Sequence, residues 1–259
     1  MSADDAAFLA QLPAWAFATG LLIARVGGAC MLLPGIGELE LPATVRAGFT
    51  LALVAVLLPV VAPQIPPVPG DALRAAGMVA AELATGLWLG WLTRLLLVAL
   101  PMAGQIAAGM AGLTNVLQPD PALGPQTAAM ARLLALAAPA AVLASGLHVL
   151  PLSALAGSYT LVPPGALLPA ADSAEVAVGA VGESFALSLR LAAPFVLAGT
   201  VWQVALGLLA RLVPQLQVYF AAMPGQILGG ILLLGVLGGA MLAAWQADLQ
   251  SAFAALPGL

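Results

Sequence analysis

The feature that most constrains this chain is a series of long apolar stretches with almost no charge inside them. A helix that crosses the hydrocarbon core of a bilayer needs about 20 mostly apolar residues, and six stretches reach roughly that length. They are Ala14–Leu33, Val45–Val61, Ala75–Leu100, Thr127–Leu150, Leu187–Leu212 and Ile227–Ala244. The pattern predicts an all-α membrane protein with about six long apolar helices.

The charge content excludes most soluble classes of protein. Only 7% of the 259 residues are charged, whereas a soluble domain carries about 25%. The chain has no lysine, and its seven arginines are scattered, so clustered positive charge for nucleic-acid phosphates is missing. A cytosolic enzyme, a secreted domain and a nucleic-acid binder are therefore excluded, and membrane lipid is the expected surrounding.

Two further apolar segments are too short to cross a bilayer comfortably. Met102–Leu117 follows Pro101, and Leu152–Val162 follows Pro151. We interpret both as broken or re-entrant segments, because irregular backbone at membrane depth is tolerated only inside protein or beside water. The chain is thus expected to form bent helical hairpins within a larger hetero-oligomeric assembly.

The polar connections are short. They are Gly35–Thr44, Pro63–Arg74, Gln118–Gln126 and Pro163–Ser184. None is large enough to form an extramembrane domain, so residues 1–259 are predicted to form a single multi-pass membrane domain. Gly86 and Gly90 have the four-residue spacing that lets helices approach closely in lipid.

Three ionisable residues inside apolar stretches are candidates for a functional role. They are Arg25, Glu82 and Arg94, and such residues are usually functional in membranes because burying their charge is costly. One hypothesis is that Glu82 is the coupling carboxylate of a secondary transporter. The alternative is an ion pair between helices or a hydrogen bond to a partner subunit.

Nothing in the sequence indicates a catalytic or cofactor site. Ser145 and His148 are the one close pair of a nucleophile and a base, but they share a single segment, whereas an intramembrane serine protease needs them to face each other beside an oxyanion site. We expect His148 to be solvated or bonded to backbone at a helix end. The single cysteine, Cys30, and the single histidine cannot build a metal site. No cofactor is expected.

Three regions together resemble the FliR family of flagellar export proteins and its virulence-secretion relatives. The first runs from Arg25 through Pro34 to Leu41–Arg46, and the second from Glu82 through Gly112 to Asp120, Pro121 and Arg132. The third, Gln203–Leu216 followed by Pro224, contains the string ALGLLAR-LV-PQL. The residues that match family motifs there and in the first region are Arg46, Gly207, Arg211, Pro214 and Gln215. The resemblance extends from about residue 12 to 245.

The resemblance implies a non-enzymatic subunit of the flagellar type III protein export gate, in the bacterial inner membrane at the flagellar basal body. Its implied partners are FliP-like and FliQ-like subunits, FlhB-like and FlhA-like proteins, and the unfolded polypeptides that are exported. Alternatives are a virulence-type secretion gate and, from another class, a secondary transporter.

The segment Gly109–Pro121 is the gate loop that the resemblance implies, whereas its residues alone favour the alternative of a turn at the membrane edge that packs against a neighbour. Glycines permit unusual backbone conformations, and prolines prevent the helix from continuing. The candidate gate residues are Asn115, Val116, Leu117, Gln118, Pro119, Asp120 and Pro121. Family members commonly carry an aromatic residue before the Asp-Pro pair, where this chain has none.

Overall fold

The computed structural model describes residues 3–113, 129–212 and 218–259. Within these ranges all regular structure is helical, as the apolar stretches predict. The seven α-helices are α1 (Ala3–Cys30), α2 (Ala43–Val61), α3 (Ala72–Met110), α4 (Ala129–Ala144), α5 (Val149–Leu161), α6 (Ala170–Leu212) and α7 (Val218–Ala254). A short 3-10 turn, Ala62–Gln64, follows α2.

Five of these helices are long and apolar enough to cross a membrane: α1, α2, α3, α6 and α7. The α4 and α5 helices qualify only together, as a bent pair, which gives up to six spans. The prediction of an all-α membrane protein with about six long helices is confirmed.

The helices extend beyond several of the predicted apolar stretches, as α1 does at one end and α7 at both ends, and three regions differ in kind. The segment Met102–Leu117 is not separate, because α3 continues through Pro101 to Met110; a proline removes one backbone donor, and membrane helices tolerate this loss. The stretch Thr127–Leu150 is interrupted at 145–148, where Gly146 has φ +75°, and most of Leu152–Val162 belongs to α5. The loop Pro163–Ser184 is mostly helical, since α6 begins at Ala170.

The chain divides into two compact units. The first unit comprises Met1–Leu95, Val142–Ala180 and Ser251–Leu259. Its core lies between α1, α2, the first part of α3, and α5. The core side chains are mainly aliphatic: Leu22, Val26, Ala29, Cys30, Leu33, Val54, Leu57, Val61, Leu89, Leu155 and Tyr159.

The second unit comprises Leu96–Ala141 and Val181–Gln250. The last part of α3 presents three fully buried alanines, Ala99, Ala103 and Ala107, which recur every four residues and so share one helix face. A Cβ atom on Gly104 would lie 2.7 Å from Leu134 of α4. Small side chains on α3 therefore let its neighbouring helices pack closely.

Candidate functional site

A fully buried ion pair joins α1 to α3 in the first unit. Arg25 Nε donates to Glu82 Oε2 at 2.8 Å, and Arg25 Nη2 donates to Glu82 Oε1 at 2.8 Å. Both side chains are 0% exposed. This two-point arrangement fixes the orientation of both groups, because the planar guanidinium matches the geometry of the carboxylate.

Further contacts extend the pair to α5 and to the turn that follows it. Arg25 Nη1 donates to Ser158 Oγ at 3.2 Å, and Nη2 donates to the carbonyl of Val162 at 2.9 Å. The guanidinium carbon lies 4.2 Å from the ring centre of Tyr159, within the range of a cation–π interaction. Glu82 Oε1 also accepts from the backbone N–H of Gly165 at 2.7 Å. We call these residues the Arg25–Glu82 cluster.

The local sequence explains why α1 and α3 come close enough for this pair to form. Glu82 and Gly86 are four residues apart and therefore share a face of α3. A Cβ atom on Gly86 would collide with the backbone carbonyl of Arg25, and one on Gly90 would lie 2.7 Å from the carbonyl of Ala29. Only glycine fits these two positions, so the spacing seen in the sequence is a real helix-packing contact.

The cluster is suited to holding helices together rather than to moving ions. Both carboxylate oxygens of Glu82 have protein donors, and the arginine donates to three different described residues. A buried pair with filled hydrogen bonds offsets the cost of desolvating its charges. Loss of either partner would leave the other charge buried and unpaired.

The third ionisable candidate lies in a separate ion pair of the same unit. Arg94 Nη2 donates to Glu38 Oε2 at 3.0 Å, and Nη1 donates to Oε1 at 3.3 Å. Glu38 lies in the turn between α1 and α2, and its Oε1 also accepts from the N–H of Gly35 at 3.3 Å. The pair is half-buried, with 30% of the Arg94 side chain exposed. It links the turn to the middle of α3.

Ser145 and His148 lie in the break between α4 and α5. Ser145 Oγ donates to the carbonyl of Val142 at 3.3 Å. His148 is half-buried, and its Nδ1 atom has no hydrogen-bond partner among the described residues. The described part of the chain also contains no group of three or more metal-ligating side chains.

The remaining candidates divide between described and undescribed positions. The gate-loop residues 115–121, together with Pro214 and Gln215, lie outside the described residues. Gly207 and Arg211 are exposed near the end of α6, and Arg46 is half-buried in the first turn of α2.

The helix end that precedes the gate-loop segment is held firmly within the second unit. Leu113 N donates to the carbonyl of Ala108 at 3.0 Å, and Gly112 has φ +71°, the left-handed residue that closes a helix. Gln226 of α7 donates from Nε2 to the carbonyl of Met110 at 2.9 Å. The last turn of α3 is therefore anchored to α7.

Four of these partners escape sequence reasoning: Glu38, Ser158, Gly165 and Gln226. Ser158 and Gly165 lie far along the chain from Arg25, and a serine or glycine in an apolar protein carries no specific signal. Glu38 is an ordinary loop acid by sequence. The one sequence signal for this region is the spacing of Gly86 and Gly90, which lie four and eight residues beyond Glu82 and therefore share its face of α3.

Comparison with known proteins identifies the family of the chain. Residues 16–252 match the family described as bacterial export proteins, family 1. Flagellar biosynthetic protein FliR of Caulobacter vibrioides is 33% identical over 220 residues, which cover 85% of this chain and 88% of that protein. Flagellar biosynthetic protein FliR of Pectobacterium carotovorum subsp. carotovorum is 31% identical over 157 residues, 60% of each chain. The chain is therefore a member of the FliR family of bacterial export proteins, with several helices able to span a membrane.

Proposed function

We propose that this protein is a non-enzymatic subunit of the flagellar type III export gate, through which axial proteins of the flagellum leave the cell. The observation that carries the proposal is the 33% identity, over 85% of the chain, to a protein named for flagellar biosynthesis. Both relatives above carry a flagellar name, which favours the flagellar gate over a virulence-type gate. The proposed location is the bacterial inner membrane, at the basal body.

The geometry of the Arg25–Glu82 cluster disfavours the secondary transporter. A coupling carboxylate has to gain and lose a proton or an ion during transport. Glu82 is 0% exposed, and both of its oxygens accept hydrogen bonds from the chain itself. We therefore assign it a structural role.

Exposed apolar helix faces support assembly with other subunits. Only 6% of the most apolar part of α7 is buried, and large side chains such as Phe220, Ile231 and Val236 are exposed. A Cβ atom added to Gly235 or Gly239 on the same helix would have no described atom within 4 Å, and this spacing is common where membrane helices pair. FliP-like and FliQ-like subunits are the proposed partners, with FlhB-like and FlhA-like proteins nearby.

We also propose the segment Asn115–Pro121 as the gate loop that closes the pore. Support comes from its chain position, directly after the anchored end of α3, and from the prolines on both sides of Asp120. In this role, the bond from Gln226 to the carbonyl of Met110 fixes the point from which the loop starts.

Removal of the gene tests the function directly. Cells without it should not swim and should not secrete flagellar axial proteins, and a plasmid copy of the wild-type gene should restore both. Normal flagella together with loss of a virulence-type secreted protein would contradict the flagellar assignment. Normal export of both kinds would contradict a gate function altogether.

The non-enzymatic part of the proposal has its own test. Ser145→Ala and His148→Ala should leave swimming and secretion largely intact, because no reaction is catalysed at this break between helices. Complete loss of export by either variant, at wild-type protein level and with normal assembly, would support a hydrolase instead.

A further inference from the structure

An open apolar groove runs between α1 and α2 in the first unit, with Leu83 of α3 at its floor. Its volume is about 560 Å³. Both walls are lined by uncharged residues, most of them small or aliphatic, except at one position on α2. The lining includes Ile23, Gly27, Cys30, Ala43, Arg46 and Leu51.

Arg46 is the exception in this lining. Its Nε atom is buried, and it has no hydrogen-bond partner among residues 3–113, 129–212 and 218–259. A buried guanidinium donor without an acceptor is costly in a low-dielectric surrounding. The groove therefore presents a half-buried cationic side chain whose Nε atom lacks an acceptor among the described residues.

The first turn of α2 adds to the positive potential at this end of the groove. Within the described structure the helix has no side-chain cap and no acidic residue in its first turn. The free N–H groups at the start of a helix carry a partial positive charge. An anion that contacts Arg46 would thus also lie near the start of α2.

The length of the groove matches one leaflet of a bilayer. Its α2 wall extends from Ala43 to Leu51, which is about 12 Å at the helical rise per residue. Half of the hydrocarbon core measures about 15 Å. The positive end lies next to the polar turn that carries Glu38 and Glu40, and the apolar walls extend away from it along α2.

We propose that this groove binds one anionic phospholipid, with the phosphate on Arg46 and an acyl chain along the walls between Gly27 and Leu51. The inference goes beyond the export function and does not depend on it. Among amphiphilic ligands, a phospholipid combines a negative headgroup at the membrane surface with a chain that reaches about one leaflet deep. A spanning helix of a partner subunit would instead be about 30 Å long in the hydrocarbon core, more than twice the length of the groove.

Native mass spectrometry of the full-length protein can test the proposal. The protein is purified from membranes with the subunits that co-purify, and phosphatidylglycerol or phosphatidylcholine is added at increasing concentration. The wild type should retain one phosphatidylglycerol about fivefold more strongly than phosphatidylcholine, the ratio expected for one arginine near an anionic lipid.

Two variants separate the headgroup contact from the chain contact. Arg46→Gln should abolish the preference for phosphatidylglycerol, whereas Arg74→Gln, which changes an exposed arginine outside the groove, should keep it. Gly27→Leu should weaken retention of both lipids, because the new side chain fills the groove while Arg46 remains. Only variants with the wild-type elution profile and melting temperature are compared.

Three results would overturn the proposal. The first is an unchanged lipid preference in Arg46→Gln. The second is displacement of phosphatidylglycerol by inorganic phosphate, which would indicate an anion site without a chain contact. The third is failure of the assembled complex to retain phosphatidylglycerol at this groove, which would mean that a partner protein covers it.

Discussion

At the scale of single residues, Arg25 is the side chain whose burial most constrains the packing of the described part of the first unit. It is fully buried, carries a permanent charge, and directs hydrogen bonds to three other residues. Removal of one member of a buried ion pair costs about 3–5 kcal/mol, whereas replacement of both members by apolar residues is often nearly neutral. The two kinds of change therefore separate a structural role from a functional one.

We predict that Arg25→Met and Glu82→Leu each destabilise the protein by about 3–5 kcal/mol, and that the double variant is closer to the wild type than either single variant. The reason is that each single change leaves one charge buried without its partner. Melting temperature followed by tryptophan fluorescence in detergent, and protein level in membranes, measure the effect. Arg74→Met is the control, because Arg74 is exposed at the start of α3. A stable double variant that still fails to swim would contradict the purely structural role.

The individual members of this cluster could be predicted, but their pairing could not. Ionisable side chains in an apolar stretch stand out by composition alone, which is why Arg25, Glu82 and Arg94 were recognisable. The pairing of Arg25 with Glu82 spans 57 positions, and it depends on how α1 packs on α3. For Arg94, no sequence signal distinguishes Glu38 from the other acidic residues of the loops, so its partner could not be named.

At the scale of helices, the contact between α1 and α3 depends on two glycines. Gly86 faces the carbonyl of Arg25, and Gly90 faces the carbonyl of Ala29. Since carbonyl oxygens of a helix cannot move without disturbing its hydrogen bonds, an added methyl group has to push the two helices apart. Gly77 lies on the same helix with no described atom within 4 Å of a Cβ position, so it provides a matched comparison.

We predict that the same substitution, glycine to alanine, changes the stability of the protein differently at two positions on α3. Gly86→Ala should destabilise the protein by about 1–3 kcal/mol, because overpacking forces the backbone to shift. Gly77→Ala should be neutral or stabilising by about 0.5–1 kcal/mol, because alanine is the better helix former. Melting temperatures of the two variants, each purified together with its co-purifying subunits and measured side by side, test this. Equal effects of the two changes would show that the α1–α3 contact is not as close as described.

The positions of the helices could be predicted better than their ends. Apolar stretches located α1, α2, α3, α6 and α7, because hydropathy directly reports which segments can lie in lipid. An apolar stretch ends where polar residues begin, but the backbone hydrogen bonds of a helix continue through them. The α6 helix therefore starts at Ala170, well before its apolar stretch. Pro101 suggested a helix end, yet α3 continues to Met110, since one lost hydrogen bond does not outweigh the packing of its buried alanines.

The proposed gate loop leads to a prediction about permeability. Deletion of Asn115–Leu117 should make the inner membrane leaky to ions or small solutes while the complex still assembles, because the shortened segment could no longer reach across the pore. Conductance or uptake of a small dye, in cells that contain the assembled variant, measures this. Gln226→Leu, which removes the anchor on Met110, should cause a weaker leak. An assembled but tight deletion variant would rule out the plug.

At the scale of the whole molecule, apolar exposure is the dominant property. Large apolar side chains are exposed on most of the long helices, including Val56 on α2, Val201 on α6 and Val236 on α7. Lipid can cover such residues, but it cannot satisfy unpaired backbone groups. The breaks at 145–148 and at 162–169 interrupt the regular hydrogen bonding of the helices, so a protein environment around them is more favourable than lipid.

We therefore predict that the chain is stable only with its partners. Expressed alone and extracted in detergent, it should aggregate or be degraded, whereas co-expression with FliP-like and FliQ-like subunits should give one complex. Size-exclusion chromatography of both preparations, with an affinity tag on this chain, measures the difference.

Paired substitutions provide an internal control: Gly239→Leu places a large side chain on the exposed face of α7 and should reduce co-purification, whereas Gly77→Leu on α3 should not. Open space surrounds both glycines, so neither change should disturb the fold of the chain itself. A monodisperse and stable monomer, with unchanged yield for both variants, would contradict the dependence on partners.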